Sequence, residues 1–489
     1  MTSIRPIPAL AALAATFMTA GCMVGPKYRK PDVPVTPAFK EPLPDGWKQA
    51  QPNDGKIGSK WWEMYNDPQL TALEEQVVIS NQNVLAFEAH YREARAAVRV
   101  ARSALFPTVS VAPSITRSRT NGGYTSGGGS AASGQRTLYS FPVDLSWEAD
   151  IWGGIRRSIT SASAQARATA ADLANATLSY QSELAEDYFL LHGVDGDIDL
   201  LQRTVQLYRD YLKLTQDRFA AGVAADLDVA QAESQLESAR SQLINLGVAR
   251  ARYEHAIAVL TGKPPAALGI GAMVLKAAPP PVPVAVPSTL LERRPDIAAQ
   301  ERLMAAANEQ IGIAKAAFYP TVALGGSAGF QSSSVTTWLS WPSRLFSIGP
   351  SLAETIFDAG KRRATVAQFQ AAYDATVAAY RQTVLTSFRQ VEDALATQRI
   401  LQQQSAPVDQ SVKSAQRALD ISTAQYKAGT AGYLTVLTAQ STLLSVQRTQ
   451  VDLLTDRLTA SVQLVVSLGG GWDASQLPSA RDVNTGPLK

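Results

Sequence analysis

The chain of 489 residues contains one cysteine and three histidines, His90, His192 and His255. One Cys excludes an internal disulfide, and three scattered His exclude a His/Cys metal centre. Charge is scarce too: 18% of residues are charged, below the roughly 25% of a typical soluble protein. The net charge is only +3, with no block of one sign, so a nucleic-acid surface is disfavoured. No nucleophile elbow, metal motif or Gly-rich phosphate loop follows a strand, which argues against an enzyme. No cofactor is expected. No long uninterrupted apolar run is present, hence no transmembrane helix. Membrane contact beyond a lipid would have to come from β-strands.

What is present begins at the N-terminus. Arg5 precedes an almost wholly apolar run, Ala9 to Ala20, followed by Gly21 and Cys22. A charged start, a short apolar stretch and small residues before a cut describe a secretory signal, residues 1–21. The run gives about 18 Å of helix, too short for a ~30 Å hydrocarbon core. The single Cys after Ala-Gly resembles a bacterial lipobox, with Thr19 where Leu is usual. The resemblance implies that Cys22 is acylated and, with Met23 rather than Asp next, goes to the outer membrane.

The sequence is written twice. NQNVLAFEAHYREARAAVRVARSALFP (81–107) is echoed by RPDIAAQERLMAAANEQIGIAKAAFYP (294–320), GGIRR (153–157) by AGKRR (359–363), and RFAAGV (218–223) by QYKAGT (425–430). The order is the same and the spacing nearly constant. The Pro-rich stretch 278–288 joins the copies and cannot be helix or sheet interior. The expected layout is an extended lipidated segment (22–66), repeat 1 (67–263), a linker (264–289), repeat 2 (290–472) and a flexible tail (473–489).

Each repeat has one grammar. A helix, about 70–103 or 296–317, ends at Phe106-Pro107 or Tyr319-Pro320. Two extended segments and a loop follow, the first loop being Gly/Ser-rich at 121–135. Two long helices then meet at a tight turn, at Gly222 or at Gly429-Thr430-Ala431-Gly432. The strand after the first loop is the clearest. Tyr139, Phe141, Val143, Leu145, Trp147, Ala149 and Ile151 share one face; Ser140, Asp144, Ser146, Glu148 and Asp150 share the other. It exceeds an ordinary strand and suits a tilted membrane strand, apolar and aromatic toward lipid, acidic toward a watery lumen. The other strands are expected near 107–119, 320–332 and 344–357.

Four strands cannot close a barrel, and an open edge in lipid strands backbone groups. Two chains would fill the interior of the barrel with side chains. Three chains would leave a lumen, so a homotrimer is expected. Residues 156–220 would span about 97 Å as one helix, with Gly193 and Gly196 as expected interruptions and Pro407 interrupting the counterpart. On the return helix Leu236, Ala239, Leu243, Leu246, Arg250, Tyr253, Ile257 and Leu260 form a heptad seam. A narrow seam between polar flanks suits a tube wall one helix thick.

The segments CMVGPKY (22–28), WWEMYNDPQL (61–70), FPVDLSWEADIWGGIRR (141–157), LLERRPDIAAQE (290–301), IGIAKAAFYPTVAL (311–324), IFDAGKRR (356–363) and LGGGW (468–472) resemble the outer membrane factors. These are the TolC-like channels, here closest to their lipoprotein branch (OprM- or NodT-like). The resemblance implies an α+β membrane protein: a shared 12-strand barrel in the outer membrane and a helical tunnel through the periplasm. It implies a passive exit duct for drugs or small toxic compounds, joined through a periplasmic adaptor to an inner-membrane RND-type pump. Export of heavy-metal cations or of proteins is the alternative, although no Met or His cluster for soft metals is present. A non-pore structural lipoprotein is more remote, because it would need no aromatic/acidic strand.

The same resemblance places the periplasmic gate at Tyr426 and Asp228, linked by a hydrogen bond across helices, and seats the adaptor on tips at Gly222, Val223, Ala224, Gly429, Thr430 and Gly432. Asp226 is expected to cap its helix. Where many members carry a pore-facing acid, this chain has Thr438, and Thr435 is uncharged too. Weak cation preference at the tip is the expectation.

Overall fold

The computed structural model describes residues 23–33, 35–44, 58–120, 134–284 and 287–485. The signal segment, Cys22 and most of the Gly/Ser-rich loop lie outside the described residues.

After a 3-10 turn at Trp61–Tyr65 come α1 (Pro68–Ser80) and α2 (Gln82–Ser103). The single helix expected over 70–103 is therefore two. Asn81 breaks it: its side chain accepts from the Asn83 and Val84 N–H groups and donates to the Leu260 carbonyl, so it caps α2. Strands β1 (Thr108–Val111), β2 (Ser114–Thr120) and β3 (Gly134–Ala149) follow, then α3 (Gly154–Ala220) and α4 (Asp226–Leu260). The second half holds α5 (Leu290–Arg293), α6 (Pro295–Ala316), β4 (Thr321–Ser332), β5 (Arg344–Ala353), α7 (Lys361–Lys427) and α8 (Tyr433–Ser467), and α9 (Ala480–Thr485) closes the chain.

The duplication is metrical. α2 and α6 both have 22 residues, α3 and α7 both 67, α4 and α8 both 35. At 1.5 Å per residue, α3 and α7 are each about 100 Å long. Gly193 and Gly196 do not interrupt α3. They let α8 approach: a Cβ on Gly193 would clash with the Thr455 hydroxyl and lie 2.8 Å from its Cγ2, and one on Gly196 would meet Val451 at 3.0 Å. Pro407 likewise lies inside an unbroken α7; it removes one backbone donor without ending the helix.

The strands form one antiparallel sheet in which β1 and β2 both pair with β3, β3 with β4 and β4 with β5. The strand expected over 107–119 is split at Ala112-Pro113, and β5 ends at Ala353 rather than 357. The sheet is open, its outer strands β1/β2 and β5 each paired on one side only.

The main core lies where the hairpins meet α1 and the linker, with Trp61, Tyr188, Leu191, Ile257, Leu290 and Val465 buried in it. Along the α4 seam, Leu236, Ala239, Ile257 and Leu260 are buried. Arg250 interrupts this seam with an ion pair to Asp195 of α3 at 2.7 Å. The same guanidinium donates to the Ile270 carbonyl, and Glu254 accepts the Ile270 N–H, which pins the linker between repeats. Burial alone would raise Asp195, but His192, the Met273 N–H and Arg250 hold it below the usual carboxylate range. The tail expected to be flexible is docked in its described part: Val483 is buried against Val98 and Ala166, and Arg102 donates to the Asn484 carbonyl.

Candidate functional site

Three regions bear on function: the sheet faces, the junction where sheet meets helices, and the hairpin tips. In an antiparallel ladder, residues directly opposite share a face. The register therefore extends the alternation of β3 over the whole sheet. Val109 opposes Leu145, Val111 opposes Val143 and Ile115 opposes Tyr139. Phe141 opposes Phe330 and Trp147 opposes Leu324. Ile348 opposes Gly326, Phe346 opposes Ala328 and Leu352 opposes Val322. One face is thus a continuous apolar band. Phe346, Ile348 and Leu352 are 82%, 74% and 71% exposed, a patch with no partner inside the protomer.

The opposite face is mostly polar or small, with Leu138, Pro142 and Leu345 as its apolar members. Asp144 opposes Ser110 and Ser327, Ser146 opposes Thr108 and Gly325, and Glu148 opposes Ala323; Ser327 in turn opposes Ser347. Asp144, Ser146 and Glu148 share this face. Asp150 does not. It lies past the end of β3, accepts from the Ile155 and Arg156 N–H groups and pairs with the Arg156 side chain. A carboxylate at the start of a long helix meets its unsatisfied donors and positive dipole end. Asp358 does the same before α7, accepting from the Gly360 and Arg362 N–H groups and the Arg362 guanidinium. The Arg362 hydrogen bond lowers the Asp358 carboxyl.

At the junction, Trp152 stacks on Tyr319 at 4.7 Å and donates to the Pro320 carbonyl. The Val24 N–H donates to the Trp152 carbonyl, and the Met23 side chain lies against Gly153. Residue 23, next to the expected lipid attachment point Cys22, therefore sits where β3 gives way to α3. The N-terminal segment then runs down the helices as a strap. Tyr28 donates to Glu301 at 2.7 Å, the Lys40 and Glu41 N–H groups donate to Glu392, and Glu41 pairs with Arg399 at 2.8 Å.

At the tips, Gly222 and Gly429 take positive φ of 79° and 77°, where a side chain is strained. Gly222, Val223, Gly429, Thr430 and Gly432 are exposed and Ala224 half-buried, so both turns present small residues outward. Tyr426 is 2% exposed and its ring lies 5.5 Å from that of Tyr433. Burial, then Tyr426, Tyr208, Tyr211 and Asp228, push the Tyr433 hydroxyl up. The Tyr426 hydroxyl has no hydrogen-bond partner, so the expected Tyr426–Asp228 bond is not made within one protomer. Asp226 is not a side-chain cap either: Ala225 is the N-cap and no side chain accepts there. Asp226 and Asp228 instead place charge in the first turn of α4, favourable to its dipole. Thr435 and Thr438 are exposed, and the Thr438 hydroxyl is turned onto its own helix, donating to the Leu434 carbonyl.

Sequence reasoning missed Arg218. Its guanidinium lies 4.8 Å over the Tyr426 ring and donates to the Lys427 carbonyl at 3.1 Å. Its one sequence signal is its place in RFAAGV, beside the turn Gly. Among the described residues there is no His/Cys/Asp/Glu group suited to a metal ion, and no helix long and apolar enough to cross a membrane.

An amphipathic open sheet on a bundle of about 100 Å helices defines the protomer of a barrel-and-tube outer-membrane channel. The model of the outer membrane efflux protein family matches residues 73–263 and 286–470. The pyoverdine export outer membrane protein OpmQ of Pseudomonas aeruginosa is 31% identical over 445 residues, 90% of this chain and 93% of that protein. The solvent efflux pump outer membrane protein SrpC of Pseudomonas putida is 29% identical over 463 residues, 94% of this chain and 98% of that one. The solved outer-membrane channel OprN superposes with a TM-score of 0.85 at 30% identity, covering 92% of this chain and 100% of that one. The chain belongs to the outer membrane efflux protein family. Its sheet lies in the outer membrane and its helices in the periplasm, and its function is efflux through that membrane.

Proposed function

We propose that three copies join their open sheets into a 12-strand barrel and their hairpins into a 12-helix tunnel, making a passive exit duct for small toxic organic compounds. The observation that carries this is the open sheet whose apolar face is continuous from β1 to β5. Lipid solvates that face, but it offers no partners to the backbone of two free edges, and only closure with further copies supplies them. Met23 is held at the sheet–helix junction, so a lipid on Cys22 would enter the membrane at the same level.

The hairpin tips are the periplasmic end of the duct. Tyr426, Asp228, Thr435 and Thr438 ring its constriction. The exposed Gly222, Val223, Ala224, Gly429, Thr430 and Gly432 let helices of a periplasmic adaptor approach closely, and an RND-type inner-membrane pump supplies the cargo. The printed functions of relatives, solvent efflux for SrpC and pyoverdine export for OpmQ, support small organic cargo over metal ions or proteins.

Two measurements test this. The purified acylated protein should have the mass of three chains by light scattering, with conductance in planar bilayers. Deletion of the gene should lower resistance to a panel of drugs and solvents, and restoring it should reverse the loss. A monomer without conductance, or unchanged susceptibility to every compound, rejects the reading.

A further inference from the structure

We propose that Arg218 latches the second hairpin tip onto the first within each protomer, so that the tube opens at the seams between protomers instead. This rests on the tips being the closing point of a trimeric duct.

Arg218 lies in the last turn of α3, while the groups it grips are in the last turn of α7. Its guanidinium covers the Tyr426 ring at 4.8 Å, within cation–π range. Nη1 donates to the Lys427 carbonyl at 3.1 Å, one of the carbonyls a helix end leaves unpaired. A cation there also meets the negative end of the α7 dipole. A Cβ on Gly429 would find one neighbouring atom, Arg218 Nη2 at 4.0 Å, so the guanidinium lies against the turn itself. Tyr426 is thus held through its ring, which is 2% exposed, while its hydroxyl is unpartnered.

The duplication supplies an internal control. Aligning RFAAGV with QYKAGT puts Gln425 at the position of Arg218 and Phe219 at the position of Tyr426. In the single chain Phe219 is 47% exposed and Gln425 is exposed, so neither makes the counterpart contact within its own copy. In a closed ring every hairpin has two neighbours, and the hairpin seams alternate between two kinds. The seam inside a protomer carries a guanidinium over a phenol ring and a charge-assisted bond to a carbonyl. The seam between protomers offers an amide and a phenyl group at the corresponding positions, and gives first.

Conductance of reconstituted trimers in planar bilayers tests both parts. Arg218→Gln installs the residue of the other repeat and should raise the open probability several-fold, by loss of a partly exposed cation–π contact and of the bond to the Lys427 carbonyl. Arg218→Lys keeps the charge without the flat fork and should fall between. Tyr426→Ala should leak several-fold more than Tyr426→Phe, since the latch grips the ring. Gln425→Arg should lower the open probability below that of the native protein, and Arg203→Gln, which removes an exposed pair with Asp199 higher on α3, should change nothing. Heat-modifiable gel mobility reports an intact barrel for each variant. A folded Arg218→Gln pore as tight as the native one overturns the latch, as does equal leakage of the two Tyr426 variants. A Gln425→Arg pore no tighter than the native one overturns the seam assignment. A native protein that forms no pore rejects the channel reading, and the latch with it.

Discussion

Arg157 of α3 donates to Glu309 of α6 across 2.6 Å, and two glycines close over the pair. The side chains are 2% and 10% exposed. A Cβ on Gly312 would lie 2.6 Å from the Arg157 Cζ, and one on Gly25 would lie 2.6 Å from the Gly312 Cα. The N-terminal strap, repeat 1 and repeat 2 meet here, just below the sheet. Arg157→Ala leaves a buried carboxylate without its cation, only the Asn308 amide remaining beside it, at a cost of about 3–5 kcal/mol. The thermal midpoint of the detergent-solubilised protein should fall by several degrees, and by less for Glu309→Gln, whose amide still accepts. Gly312→Ala should also lower it, by forcing the guanidinium aside.

The two sheet faces should respond oppositely to the same new charge. Ile348 and Ser347 are neighbours on β5, opposite Gly326 and Ser327 respectively. Ile348→Arg puts a cation in the apolar band, at a cost of about 2–4 kcal/mol at mid-depth. It should sharply reduce assembled protein in outer-membrane fractions. Ser347→Arg lies on the opposite face, the one proposed to line the lumen, and should assemble normally while shifting conductance. Equal yields would refute the face assignment.

The sheet was legible because a period of two over Tyr139 to Ala149 has no helical reading, and the register then extends it to the four other strands. The helices were legible from length and seam. The misreadings have local causes. Gly193 and Gly196 looked like breaks because propensity ignores neighbours, yet Thr455 and Val451 need the space. Asn81 looked like a helical residue until its amide found the Leu260 carbonyl. Asp150 fitted the alternation of β3 but lies one step beyond it, where helix donors outcompete a lumen. Arg218 and Tyr426 are separated by three helices and two strands in sequence, and no pattern within one helix reports that they touch.

Ion preference at the tip should be weak and easily imposed. Thr438 stands where the family resemblance would place a pore-facing acid, and its hydroxyl is already committed to the Leu434 carbonyl. Asp226 and Asp228 are the acids nearest the turn on α4. If the tips form the constriction of the proposed trimer, Thr438→Asp adds one charge per copy there and should shift the reversal potential in a salt gradient toward the cation value. A native channel already strongly cation-selective, with Thr438→Asp adding nothing, would place selectivity elsewhere.

Stability should depend on pH through Asp187. Burial, then Glu183 and Glu186, raise its carboxyl to about 6. An acid raised in the folded state holds its proton where the unfolded chain has lost it. Between about pH 4 and pH 6 the folded protein therefore binds more protons, and stability falls as pH rises through that window. Above it the folded protein carries the full penalty of a charged, half-buried Asp187 beside two other acids. Asp187→Asn removes that penalty, by an amount of order 1 kcal/mol once partial solvent screening is allowed for. The thermal midpoint of the variant should exceed that of the native protein near neutral pH, and the difference should vanish by about pH 4. A gain that is constant with pH would show that the amide acts by packing, and a loss at neutral pH would show that the charged carboxylate has a partner in the assembled tube.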